Sequence, residues 1–164
     1  MHPLQQILNP DSPLSVPPSF YRDAETDMPY ILDANEAIKY AQEYARKAEL
    51  IGSSLDSSVI LSFPDTESQA RFKKYEDELA DIFVVSSVQL GVSLPSPDAS
   101  KGWKFDVQWR VREGRGGDSM AVAWVVPPNG GKCPRCWRHV APATDGLCKR
   151  CENVLQDAGI DHSV

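Results

Sequence analysis

What most restricts the folds open to this chain is a pair of Cys-x-x-Cys turns near its end. Lys132-Cys133-Pro134-Arg135-Cys136-Trp137-Arg138-His139 is answered by Leu147-Cys148-Lys149-Arg150-Cys151, with eleven residues between the two pairs. All four cysteines of the 164 residues lie here. Zinc takes four soft ligands at tetrahedral corners, and two such turns supply two thiolates each once the intervening chain folds back. The spacing therefore predicts a single zinc ion held by Cys133, Cys136, Cys148 and Cys151. Four thiolates leave no open coordination position, so the metal holds a fold and generates no reactive water. Asp145-Gly146 provides a turn to close the loop. Two disulfides are the rival use of four cysteines; the absence of a visible secretory signal and of any other cysteine favours metal. A redox Cys-x-x-Cys normally stands alone beside a βαβ unit, which the doubled motif does not match. His139 is read as a polar surface residue, not a ligand.

The net charge of -6 hides an asymmetry that bears on partners. Residues 101–150 carry ten Lys/Arg against four Asp/Glu, a local +6 that leaves -12 on the rest. Attraction to phosphate is set by the patch within about a Debye length, roughly 8 Å at physiological salt, and not by the average. Folding on the metal brings Arg135, Arg138, Lys149 and Arg150 onto one small surface beside Trp137. Cations next to an aromatic ring bind phosphate while the ring stacks on an unpaired base, which suits RNA ends and loops better than a regular duplex. The plain alternative is solubilising surface, with Trp137 covering the metal. No apolar run approaches the length of a membrane span, and Met1-His2-Pro3-Leu4-Gln5-Gln6 has neither a secretory nor a transit pattern.

In chain order, residues 1–30 contain Pro3, Pro10, Pro13, Pro17, Pro18 and Pro29 and read as extended chain. Asp33 with Glu36 resembles a capping box, and Ile38, Ala41, Ala45, Ala48 and Ile51 then recur at helical spacing until Gly52. Val59 to Phe63 is a strand stopped by Pro64; Asp65 or Thr66 caps a helix with Phe72, Tyr75, Leu79 and Ile82 on one face. A buried strand follows from Ile82 to about Leu90. Trp103, Phe105, Val107, Trp109 and Val111 alternate with polar residues as a half-buried strand. Its hairpin partner is Met120 to Val126, across a turn at Glu113 to Asp118. The class is α+β. A proline-rich segment (1–30) precedes a helix and strand region with a β-hairpin (31–128), then a four-cysteine zinc-finger module with a tail (129–164).

The stretch from Glu36-Ala37-Ile38 through Arg46-Lys47-Ala48-Glu49-Leu50-Ile51-Gly52-Ser53-Ser54-Leu55-Asp56 resembles the helix and exit of bacterial-type and organellar isoleucyl-tRNA synthetases. Asp81-Ile82-Phe83-Val84-Val85-Ser86-Ser87-Val88 resembles that family's next strand, and the two Cys-x-x-Cys turns resemble its C-terminal zinc finger, in the same order. The finger alone is also similar to that of Fpg-type DNA glycosylases, but Met1 and Pro3 do not supply their terminal proline nucleophile. The synthetase resemblance spans roughly residues 33–155. It implies the end of an anticodon-binding region, a structural zinc and a tRNA(Ile) partner, at the C-terminal end of a longer enzyme. It implies RNA contacts by Arg135, Trp137, Arg138, Lys149 and Arg150, and no catalytic residue, because HIGH and KMSKS signatures do not occur here. It would place a eukaryotic copy in mitochondria and any other in the cytoplasm.

Overall fold

Strand alternation builds the sheet against which everything else packs. In the computed structural model, which describes residues 18–98, 102–111, 119–143 and 146–158, with side chains from Asp23 onward, β1 (Ser58–Phe63), β2 (Val88–Val92), β3 (Phe105–Val111) and β4 (Ser119–Val126) form one sheet in the order β2-β1-β4-β3. β3 and β4 pair antiparallel, as their hairpin pattern predicts, and β4 pairs antiparallel with β1. β1 and β2 run parallel, joined through α2 (Thr66–Lys73) and α3 (Glu76–Ile82). The turn predicted at Glu113 to Asp118, Asp145 of the loop turn, and Pro3, Pro10, Pro13 and Pro17 lie outside the described residues.

The apolar set of β3 faces inward, with Trp109 and Val111 buried, while Asp106, Gln108 and Arg110 are exposed. Trp109 stands opposite Ala121 and Leu61 opposite Ala123, so bulk on one strand meets a small residue on the next. The long helix α1 (Pro18–Lys47) crosses β3 and β4 on a face built from Ala34, Ala37, Ala41 and Ala45 with Ile31 and Ile38, all buried. Methyl side chains let a helix approach a sheet closely. Phe63 fills the middle, with its ring centroid 4.7 Å from Phe72 and 6.1 Å edge-on from Trp109. Each such buried aromatic contributes roughly 2–3 kcal/mol of apolar transfer.

Three local expectations are corrected. Residues 18–30 are helical and not extended, so α1 begins at Pro18, and Asp33 with Glu36 lies inside the helix as no cap. Proline is tolerated in a first turn, and interior Pro29 is carried because Ile31 and Ala34 just beyond it are fully buried in the core, which outweighs one lost backbone bond. Gly52 does not end α1. Glu49 does so, at φ 58, its N–H donating to the Arg46 carbonyl and that of Leu50 to the Ala45 carbonyl. This is the paired bonding of a Schellman cap. Finally, Ile82 to Val85 is not strand: Val84 takes φ 55 and repeats the same cap on α3, with Val84 donating to Asp81 and Val85 to Ala80, and β2 starts at Val88. Asp65 does cap α2, accepting from Ser68 N at 2.8 Å.

The left-handed conformation costs a residue with a Cβ about 1–2 kcal/mol that glycine avoids. Glu49→Gly is therefore expected to stabilise the fold by about 1 kcal/mol. An unchanged or lower urea midpoint would argue against this cap.

Candidate metal centre

Two short elements frame the cysteines. β5 (Gly131–Lys132) pairs with β6 (His139–Ala141), and the loop between them carries Cys133 and Cys136. Cys133 N donates to the Arg138 carbonyl at 2.8 Å and Trp137 N to the Cys133 carbonyl at 2.9 Å, which closes a tight knuckle. Closure needs a left-handed residue, supplied by Trp137 at φ 65. The second pair straddles the start of α4 (Lys149–Asp157), with Cys148 at the cap position and Cys151 in the first turn. The helix therefore begins inside the second knuckle, and Leu155, not Val154, is the buried anchor of the tail.

The four sulfurs lie within 4.8 Å of one another, positioned to hold a metal ion. Cys136 and Cys148 sulfurs are 3.7 Å apart, and no pair is a disulfide. Metal–sulfur bonds of about 2.3 Å in a tetrahedron set ligand sulfurs about 3.8 Å apart, so the cluster fits a closed four-sulfur site. Its electrostatics are uneven. Burial opposes ionisation of Cys133, but N–H groups of Cys136, Cys148 and Arg135 aimed at its sulfur outweigh that and bring the thiol down to about 6. Burial and the neighbouring Cys148, Cys136 and Cys133 sulfurs push Cys151 up to about 12, and burial also raises Cys136. Without a cation the thiols repel one another's ionisation; with one, all four ionise. Metal uptake at pH 7 should therefore release protons from Cys136 and Cys151, and affinity should climb with pH, most steeply below about 6 where Cys133 must also give up its proton. Uptake without proton release in weakly buffered solution would rule out thiolate ligation.

The predicted RNA-facing residues divide in two. Trp137 is 63% exposed, with most of its surface toward solvent. Arg135 and Lys149 are exposed with no ion pair found for either among the described residues. Arg138 and Arg150 instead converge on Asp81 in the last turn of α3, Arg138 with its side chain only 16% exposed. His139 is no ligand. Its backbone N–H donates to Ser86 Oγ at 2.7 Å and its ring nitrogen meets Asp56 Oδ1 at 3.3 Å.

Asp56, Asp81 and Ser86, which dock the module, escape sequence reasoning because their docking partners are 53 to 83 residues away. Asp56 also closes the capping box of the 3-10 turn at Ser54–Asp56, where it accepts from Ser53 N at 2.7 Å. Burial works against its charge, yet the Ser53 and Gly52 amides, His139 and Lys132 hold its carboxyl below the ordinary range. Arg46, at the end of α1, is paired with Glu43 and Ser54 and is not free for phosphate.

Isoleucine–tRNA ligases match most of this chain. That of Syntrophotalea carbinolica is 32% identical over 148 residues, 85% of this chain and 14% of the relative. That of Thermotoga maritima is 32% identical over 135 residues, 79% and 13% respectively, and that of Gloeobacter violaceus 31% over 135 residues, 79% and 12%. The chain thus spans about one seventh of the length of these curated relatives. No protein-family model matches it.

Proposed function

This chain corresponds to one region of the isoleucine–tRNA ligases, and from that premise we propose that it is their C-terminal, tRNA-positioning part, built on a structural zinc. The observation that carries the reading is Trp137. A tryptophan beside a four-sulfur cluster, left-handed and 63% exposed, is held outward where a base can stack. Arg135 and Lys149, exposed and without an ion pair among the described residues, carry cations on the same module, and Arg138 and Arg150 add cations on its body side. Zinc suits four thiolates in a closed tetrahedral set; its contribution is to fix the two knuckles together. The proposed ligands are Cys133, Cys136, Cys148 and Cys151.

The work done is positioning. Binding energy at a remote surface holds the substrate's reacting end in register with chemistry performed elsewhere in the ligase. tRNA(Ile) is the proposed partner and the remainder of the ligase the proposed neighbour. An alternative, a free-standing module that binds damaged duplex DNA or docks on another protein, has only the finger's own resemblance behind it.

The test is binding of the full chain, zinc content confirmed, to tRNA(Ile), an unrelated tRNA and a DNA duplex across a salt series. The expected result is preference for tRNA, weakening as salt rises, and loss of binding on chelation. Tighter binding to duplex DNA would move the protein to the alternative, and no binding to any would reject an autonomous RNA-binding role.

A further inference from the structure

The seam between the metal module and the body is a groove of about 570 Å³, lined by Asp81, Val84, Arg135, Arg138, Arg150 and Val154. At its centre two guanidiniums meet one carboxylate: Arg138 donates to Asp81 Oδ1, and Arg150 Nη1 lies 3.2 and 3.3 Å from the two Asp81 oxygens. Planar guanidiniums converging on a pair of oxygens accept a phosphodiester with the same geometry as a carboxylate. The Asp81 carboxylate is 51% exposed, so an anion arriving from solvent reaches the same place. The groove also has an apolar floor that the fold maintains at a cost. Val84, β-branched and at φ 55, is 49% exposed, and Val154 is 44% exposed. A β-branched residue at positive φ is an outlier, and such strain persists where surroundings impose it, often at binding surfaces.

We propose that Arg138 and Arg150 form a phosphodiester subsite for single-stranded RNA, and that Asp81 occupies it as an internal competitor which the RNA backbone displaces. This rests on the RNA-binding reading above and adds the site, the ligand group and its control. Two cations held in an ion pair become available on contact, while the resident carboxylate discourages polyanions that engage the arginines but offer no base to Trp137 or to the valine floor.

The test compares zinc-loaded wild type, Asp81→Asn and Asp81→Glu for binding to tRNA(Ile) over a salt series. Asp81→Asn should bind about three- to tenfold more tightly, the scale of the exposed ion pairs it dissolves. Its log–log salt slope should stay within about 0.7 of wild type, because the bound state makes the same phosphate contacts in both. Asp81→Glu, which keeps the competing charge, should stay within about twofold of wild type, the residual ion-pair difference being small. His139 bonds Asp56 and Ser86 independently of Asp81, so the module is expected to stay docked in both variants. Adding Arg138→Ala to Asp81→Asn should erase the gain. A wild type that binds beside an Asp81→Asn that binds no better, or a gain that survives Arg138→Ala, overturns the subsite and leaves the RNA reading standing. Failure of every variant to bind overturns both.

Discussion

Cys133→Ser is expected to empty the metal centre and unfold residues 131–158 while the four-stranded sheet survives. Cys133 is wholly buried, receives N–H donors from three residues, and is the thiol most ready to ionise, at about 6. A serine hydroxyl is shorter and stays protonated at neutral pH, so the site falls to three sulfurs. The free energy of a structural zinc, on the order of 10–16 kcal/mol in isolated fingers, is also the folding free energy of the module that binds it. Little else could replace it: the module's core is Cys133, Ala141, Cys148 and Cys151 with Cys136 and Leu147 against them, a cluster separate from that of the sheet. Zinc per chain should drop from one toward zero. Amide exchange should accelerate through α4 and β6 and remain slow in β1 and β4. Stoichiometric metal at wild-type affinity in the variant would overturn the ligand assignment.

The second large effect is expected at Trp137. Trp137→Ala should weaken tRNA binding by about five- to hundredfold, the range for losing one base–aromatic stack worth roughly 1–3 kcal/mol. Zinc content and salt dependence should not change, because an indole carries no charge. Lys149→Ala should behave oppositely, with a loss of about two- to fivefold and a log–log salt slope shallower by about 0.7. The contrast separates stacking from charge. A Trp137→Ala variant that binds within twofold of wild type would reduce the exposed ring to a by-product of knuckle closure.

The residues most easily read were those whose meaning lies in short-range spacing. The two Cys-x-x-Cys turns, the alternation from Phe105 to Val111 and the cap at Asp65 each appear in the structure, though the strand begins two residues later than Trp103. Misreadings occurred where tertiary packing overrides local preference. Pro29 ordinarily argues against helix interior, but the buried side chains beyond it keep α1 continuous. Glu49 and Val84 are poor candidates for left-handed caps, and a glycine three residues past Glu49 drew the boundary to itself. The parallel pairing of β1 with β2 left no local sign. Asp81 was hidden most deeply, because it is one of many acidic residues in the chain and acquires its role only when arginines 57 and 69 residues away arrive beside it.

Those two arginines come from opposite sides of the metal loop. Arg138 follows the first knuckle and Arg150 lies within the second, so their meeting on Asp81 requires the two knuckles to hold one register. The end of α3 is thereby a coincidence detector for the two knuckles: one carboxylate receives a charge from each. Given the proposed zinc and the proposed RNA subsite, the seam should assemble only on loaded protein, and zinc supply would be a condition for recognition as well as for folding.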